Sequence, residues 1–132
     1  MPLTSMEHLL VLTEDIDGTK DFYRRALGLE VGERPPLEFP GYWLYLGGVP
    51  CVHVADRRAY AEHSQRVGVP VSPDAVDHVA FTADDFEEAA ARLEREGVEA
   101  TPNMVPGAGL RQLFFEDPNG LKIEINVMAR EE

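Results

Sequence analysis

Cysteine is nearly absent: Cys51 stands alone among the 132 residues, so no internal disulfide can form. That suits a reducing compartment, and a cytoplasmic location is expected. The N-terminus lacks the charged-then-apolar order of a secretory signal. No apolar run approaches the roughly 20 residues of a membrane span, so no membrane partner is expected. Basic residues are scarce too, with twelve Lys and Arg against twenty-four Asp and Glu, a formal charge of −12. Such a surface repels phosphate backbones, and no basic stripe overrides it. Nucleic acid is therefore excluded as a partner, and a small molecule is expected instead. What the chain does have is apolar content, 44% of residues, enough for a real core in one domain spanning 1–132.

Periodicity divides that domain into two similar halves. The first opens with a strand-like run, Glu7 to Thr13, carrying one histidine. Asp15 and Asp17 are capping candidates for a helix with apolar positions Phe22, Tyr23, Ala26 and Leu27, stopped by Gly28. Strands are predicted over Leu29 to Val31, Tyr42 to Leu46 and Cys51 to Ala55, with a proline- and glycine-marked loop after the first. The second half repeats the order. A strand from Asp77 to Thr82 again carries one histidine. A helix follows from about Phe86 to Glu96, capped by Asp84 or Asp85 and ended by Gly97. Then come a strand over Val98 to Met104, a Pro106-Gly107 loop, and a hairpin of Leu110 to Phe115 and Leu121 to Val127. The fold class is thus α+β, as two βαβββ modules: module one about 5–56, module two about 74–128. The linker, about 57–73, has room for a short helix around Tyr60 to Arg66.

The repeat also aligns chemistry. Side chains two apart on a strand share a face. In the last strand Ile123, Ile125 and Val127 form an apolar set for the helix layer, leaving Glu124 on the opposite face. A carboxylate between isoleucines needs a partner, because burying a bare charge is costly. His8 and His78, 70 residues apart at matching places, can meet that need through a shared metal ion. Two imidazoles and one carboxylate with open positions suit one divalent ion: iron, manganese, nickel, cobalt or zinc. His53 is pseudo-equivalent to Glu124 to within one residue, and is either a fourth ligand, a catalytic base or a hydrogen-bonded pocket-lining residue.

These features resemble the vicinal oxygen chelate superfamily, which includes glyoxalase I, extradiol dioxygenases, fosfomycin-resistance transferases and bleomycin-binding proteins. The likeness spans nearly the whole chain. It is carried by His8 with the following 17–28 segment, by Asp77-His78-Val79-Ala80-Phe81, and most specifically by the run from Phe115 to Glu124. It implies a curved mixed sheet around a metal-binding pocket, with His8, His78 and Glu124 as ligands. A fourth ligand, usually Glu or Gln, would fall near His53. The activity implied is metal-assisted chemistry on a small oxygenated molecule held by adjacent oxygens, of glyoxalase-like lyase or isomerase type. A small extradiol-type dioxygenase and a non-catalytic binding or resistance protein are the alternatives. Glutathione-dependent glyoxalases carry an arginine four residues after the first ligand; Leu12 stands there in this chain. The resemblance further implies a homodimer.

For the remaining candidates the sequence leaves more than one role open. Glu124 or His53 would move the proton. Trp43, with Tyr42 beside it, lines a substrate pocket or belongs to the core or an interface. Arg111 shares the parity of Glu124 if the hairpin turns at Pro118-Asn119, and would then hold an anionic substrate group or lie at the surface.

Overall fold

A computed structural model of the chain describes residues 5–69, 71, 76–105 and 109–128. Its elements run β1 (Leu9–Thr13), α1 (Ile16–Leu27), β2 (Glu30–Gly32), β3 (Gly41–Leu46), β4 (Val49–Asp56), α2 (Arg57–Val67), β5 (His78–Thr82), α3 (Phe86–Arg95), β6 (Thr101–Val105), β7 (Leu110–Glu116) and β8 (Lys122–Met128). They form the α+β pair of βαβββ modules expected from the repeat. The contacts divide the chain into two compact units, one of residues 1–24 and 28–73, the other of 25–27 and 74–132.

In the first unit the four strands are ordered β1-β4-β3-β2. β1 runs parallel to β4, and the other pairings are antiparallel. Alternation then sorts the side chains. Val11 and Thr13 of β1 are buried, and the Thr13 hydroxyl meets that of Thr19 on α1 at 2.9 Å. Tyr42 lies on the helix side too, donating its hydroxyl to Asp17 of α1 under the ammonium of Lys20. Tyr23, Leu44, Val52 and Val54 fill the core of this unit. α1 starts where Asp15 accepts from the Gly18 amide.

In the second unit the order is β5-β8-β7-β6, with β5 parallel to β8. Leu93 of α3 and Leu113, Phe115, Ile123, Ile125 and Val127 of the sheet are buried. Asp85 caps α3 by accepting from Glu88.

Several boundaries differ from the sequence reading, and three of the differences have a visible cause. The linker helix is longer, because Asp56 ends β4 and also caps α2 through the Ala59 amide. One residue serves two elements, which hides the junction. β6 begins at Thr101, since the Val98 amide is spent closing α3 on the Leu93 carbonyl. Pro102 is accommodated because β6 is an edge strand. The predicted Pro106-Gly107 loop lies outside the described residues.

The third difference sets the site. The β7–β8 loop runs from Asp117 to Leu121, closed by the Asp117 amide on the Leu121 carbonyl. The Asp117 carboxylate accepts from the amides of Asn119 and Leu121, and Gly120 takes φ 83°. The turn is therefore centred on Asn119 rather than between Pro118 and Asn119, and Phe114 pairs with Glu124. Such a shift exchanges the faces of a strand. Arg111 pairs with Val127 and turns to the helix layer; Gln112 takes the face of Glu124.

At the start of β3, Gly41 faces Ala55, and a Cβ there would stand 2.1 Å from the Val54 carbonyl oxygen. Gly41→Ala is expected to cost about 1–3 kcal/mol, as overpacking does, read as a lower urea midpoint. An unchanged midpoint would show that the strand yields without strain.

Candidate metal centre

The two parallel registers bring the predicted residues together in pairs. In the first unit Leu10 is opposite His53; in the second Ala80 is opposite Glu124. His8 and His78 each lie two residues before those partners, so His53 and Glu124 occupy equivalent places.

In the second unit His78 opens β5. Its Nδ1 meets Asp77 Oδ2 at 3.0 Å, and its Nε2 stands 3.4 Å from Glu124 Oε2. With Nδ1–H donated to Asp77, the Nε2 lone pair looks towards a carboxylate oxygen. In that tautomer a cation between the two atoms would satisfy both. Ligand atoms about 2.1 Å from one tetrahedral ion lie roughly 3.4 Å apart, so the pair fits a shared metal. Asp77 in turn is held at 2.8 Å by Lys122. The Lys122 ammonium and then His78 keep the Asp77 carboxyl below its ordinary range, and Asp77 raises Lys122. A carboxylate behind a ligating histidine fixes its tautomer and raises its basicity. Glu124 is buried, and Gln112 Nε2 donates to its Oε1 at 2.5 Å.

The first unit is built differently. His8 precedes β1, with Nδ1 3.0 Å from Glu7 Oε1, the same arrangement as Asp77 and His78. Its ring stacks on His53 with centroids 3.8 Å apart, and His53 stacks on Trp43 at 4.1 Å. His53 Nε2 lies 3.1 Å from the Pro50 carbonyl and donates to it, leaving Nδ1 as the acceptor. Burial, then the neighbouring His8, lower the His53 pKa from 6.5. One ring nitrogen is thus engaged with a carbonyl and both ring faces are covered, by His8 and Trp43.

The remaining candidates divide by face. Trp43 shares the face of His53. Tyr42 is on the opposite face, engaged with Asp17, whose hydrogen bond raises the tyrosine's pKa. Arg111 stacks over Phe86 at 3.6 Å and pairs with Glu87 at 3.2 Å, both on α3. The structure thus brings together His8, His53 and Trp43 in one unit, and His78 with Glu124 in the other. Among the described residues no three His, Cys, Asp or Glu side chains stand grouped as a metal site. Sequence reasoning missed Glu7, Asp77 and Gln112. The first two had a signal, an acid directly before each histidine of the repeat.

The sequence profile described as the Glyoxalase/Bleomycin resistance protein/Dioxygenase superfamily matches residues 5–125. The chain belongs to this superfamily. It is 31% identical over 126 residues to the Arabidopsis thaliana protein named Glyoxylase I 4, covering 93% of this chain and 70% of that one. It is also 31% identical over 129 residues to a Serratia marcescens glutathione transferase, FosA, covering 95% and 82%. The crystal structure of a lactoylglutathione lyase from Agrobacterium tumefaciens superposes with a TM-score of 0.76 at 20% identity, covering 96% and 95%. That likeness shows the superfamily's fold. Among the described residues no helix is long and apolar enough to cross a membrane.

In the metal-free protein, the His53 ring should titrate with a midpoint below 6.5. The unfolded chain then binds this proton more readily. The stability this group contributes is present above about pH 6.5 and lost as pH falls through the lower folded value. Ring-proton chemical shifts against pH, assigned with His53→Asn, give the midpoint; a value at or above 6.5 refutes this.

Proposed function

We propose that this superfamily member is a divalent-metal-dependent enzyme of lyase or isomerase type, acting on a small molecule with adjacent oxygens. The supporting observation is the pairing of His78 Nε2 with Glu124 Oε2 at 3.4 Å, each backed by its own hydrogen-bond partner. His78 and Glu124 would supply two ligands, and the superfamily resemblance makes His8 the third; Glu7 meets the His8 ring as Asp77 meets that of His78. The metal, when bound, supplies Lewis-acid stabilisation of negative charge developing on the substrate oxygens. Iron, manganese, nickel, cobalt and zinc all suit this donor set.

The protein's own residues would do the rest. Both oxygens of Glu124 are committed, one to Gln112 and one towards His78. His53 is the better proton acceptor, at Nδ1, because burial keeps it neutral and the Pro50 carbonyl fixes its tautomer. Trp43, stacked on His53, lines the substrate side, so an apolar or planar group is accommodated there. Tyr42 and Arg111 drop out of the substrate site, since both face helices. A dioxygenase reading shares this metal set, and His53 would serve its acid–base step equally. Oxygen uptake with a panel of catechols in the iron(II)-loaded protein separates the two. A binding protein without catalysis is the remaining alternative.

Purified protein supplied with these metals should hold about one divalent ion per chain, measured by elemental analysis. His78→Ala should lose it. His53→Asn should keep the metal yet lose about 10²–10⁴-fold in turnover, the usual range for a proton-transfer residue. A wild-type protein that takes up no metal under any supply would falsify the enzyme reading.

The protein is further proposed to be a homodimer with two equivalent sites, located in the cytoplasm. Light scattering at micromolar concentration should give twice the chain mass of 14.7 kDa; a monomer contradicts it.

A further inference from the structure

Gln112 is nine-tenths buried, on the same face as Glu124. Its amide is fully employed. Nε2 donates to Glu124 Oε1 at 2.5 Å and to Asn126 Oδ1 at 3.0 Å, and Oε1 accepts from Asn103 Nδ2 at 2.8 Å. Rotating the amide by half a turn would set its oxygen against the carboxylate and its nitrogen against the Asn103 nitrogen. The network therefore admits one orientation. Asn103, Gln112 and Asn126 are direct partners across β6, β7 and β8, so three amides form one row beside the carboxylate.

The first unit shows that the fold does not require this row. There Trp43 pairs with His53 as Phe114 pairs with Glu124. Two residues along, the places of Gln112 and Asn126 are taken by Gly41 and Ala55, which carry no polar side chain. The amide row occurs in the unit with the carboxylate, and its innermost donor ends on that carboxylate. It also ends on one oxygen: Oε1 is taken, while Oε2 is turned to His78.

We infer that Gln112 is a positioning residue that makes Glu124 a one-oxygen metal ligand, holding Oε1 so that only Oε2 is offered, with Asn103 holding Gln112 in turn. This rests on the metal reading above. A carboxylate that binds through one oxygen leaves the ion an additional position for substrate oxygens; one free to bind through both would occupy it. Gln112 thus acts through Glu124, without touching substrate.

The test is cobalt(II) binding by the whole protein, followed by competition titration and by the visible absorption of bound cobalt, which reports its coordination number. Gln112→Met keeps the size of the side chain and removes its hydrogen bonds. It should weaken cobalt(II) binding about 10–100-fold, the usual cost of losing a residue behind a ligand, and alter the visible band. Asn103→Ala, on the exposed edge strand, should weaken binding about threefold, as expected for one neutral hydrogen bond. Thermal melting establishes that each variant is folded. A merely structural Gln112 would lower the melting temperature and leave cobalt affinity and spectrum as in the wild type; that result overturns the inference and leaves the metal reading standing. If Gln112→Met does not fold, Asn103→Ala decides, an unchanged affinity again overturning it. Wild-type protein that binds no cobalt(II) overturns both together.

Discussion

Parallel pairing of β1 with β4, and of β5 with β8, sets the first strand of each unit beside its last. In that register a histidine two residues before the crossing point lies next to whatever residue the last strand places there. Hydrogen bonding along the ladder fixes the spacing, and pleating fixes the face. Apolar side chains on the other face of β8 lock its register, since a one-residue slip would expose Ile123 and Ile125 and bury their polar neighbours. The chemistry of the site is thus held by the core: the valines and isoleucines decide where the imidazoles and the carboxylate point.

The same register position is used in two ways. Glu124 is a buried carboxylate, and such a group is tolerated only with hydrogen-bond partners. Gln112 on one oxygen and the His78 imidazole near the other provide them. His53 at the matching place is buried as a neutral ring, which needs less compensation: one carbonyl and two flat neighbours suffice. The divergence follows from what surrounds each position. Gly41 and Ala55 leave no donors beside His53, whereas the amides beside Glu124 do.

Much of this was readable in the sequence. The repeated order of elements, the caps at Asp15 and Asp85, and the placement of His8 and His78 follow from local patterns that act within a few residues. The near-equivalence of His53 and Glu124 also followed from spacing, though only the strand registers make it a match. What was not readable depends on choices between neighbours one residue apart. Asp117 could close a turn of several lengths, and its carboxylate selects the five-residue form by bonding two loop amides. Composition marks the turn but not its length, so Arg111 was placed where Gln112 belongs. α2 was underestimated for a similar reason, because Asp56 reads as a strand end before it reads as a cap.

The loop from Asp117 to Leu121 acts as a phase setting for the strand before it. Arg111 and Gln112 are adjacent, and the loop length together with the buried Leu113 and Phe115 determines which of them looks at Glu124. A one-residue change between Asp117 and Leu121 that moved the register with it would exchange an amide for a guanidinium beside the carboxylate, with no site residue altered. A guanidinium would pair with that carboxylate directly and neutralise its charge. Related chains differing by one residue in this loop can therefore part company in chemistry while keeping every histidine and glutamate in place.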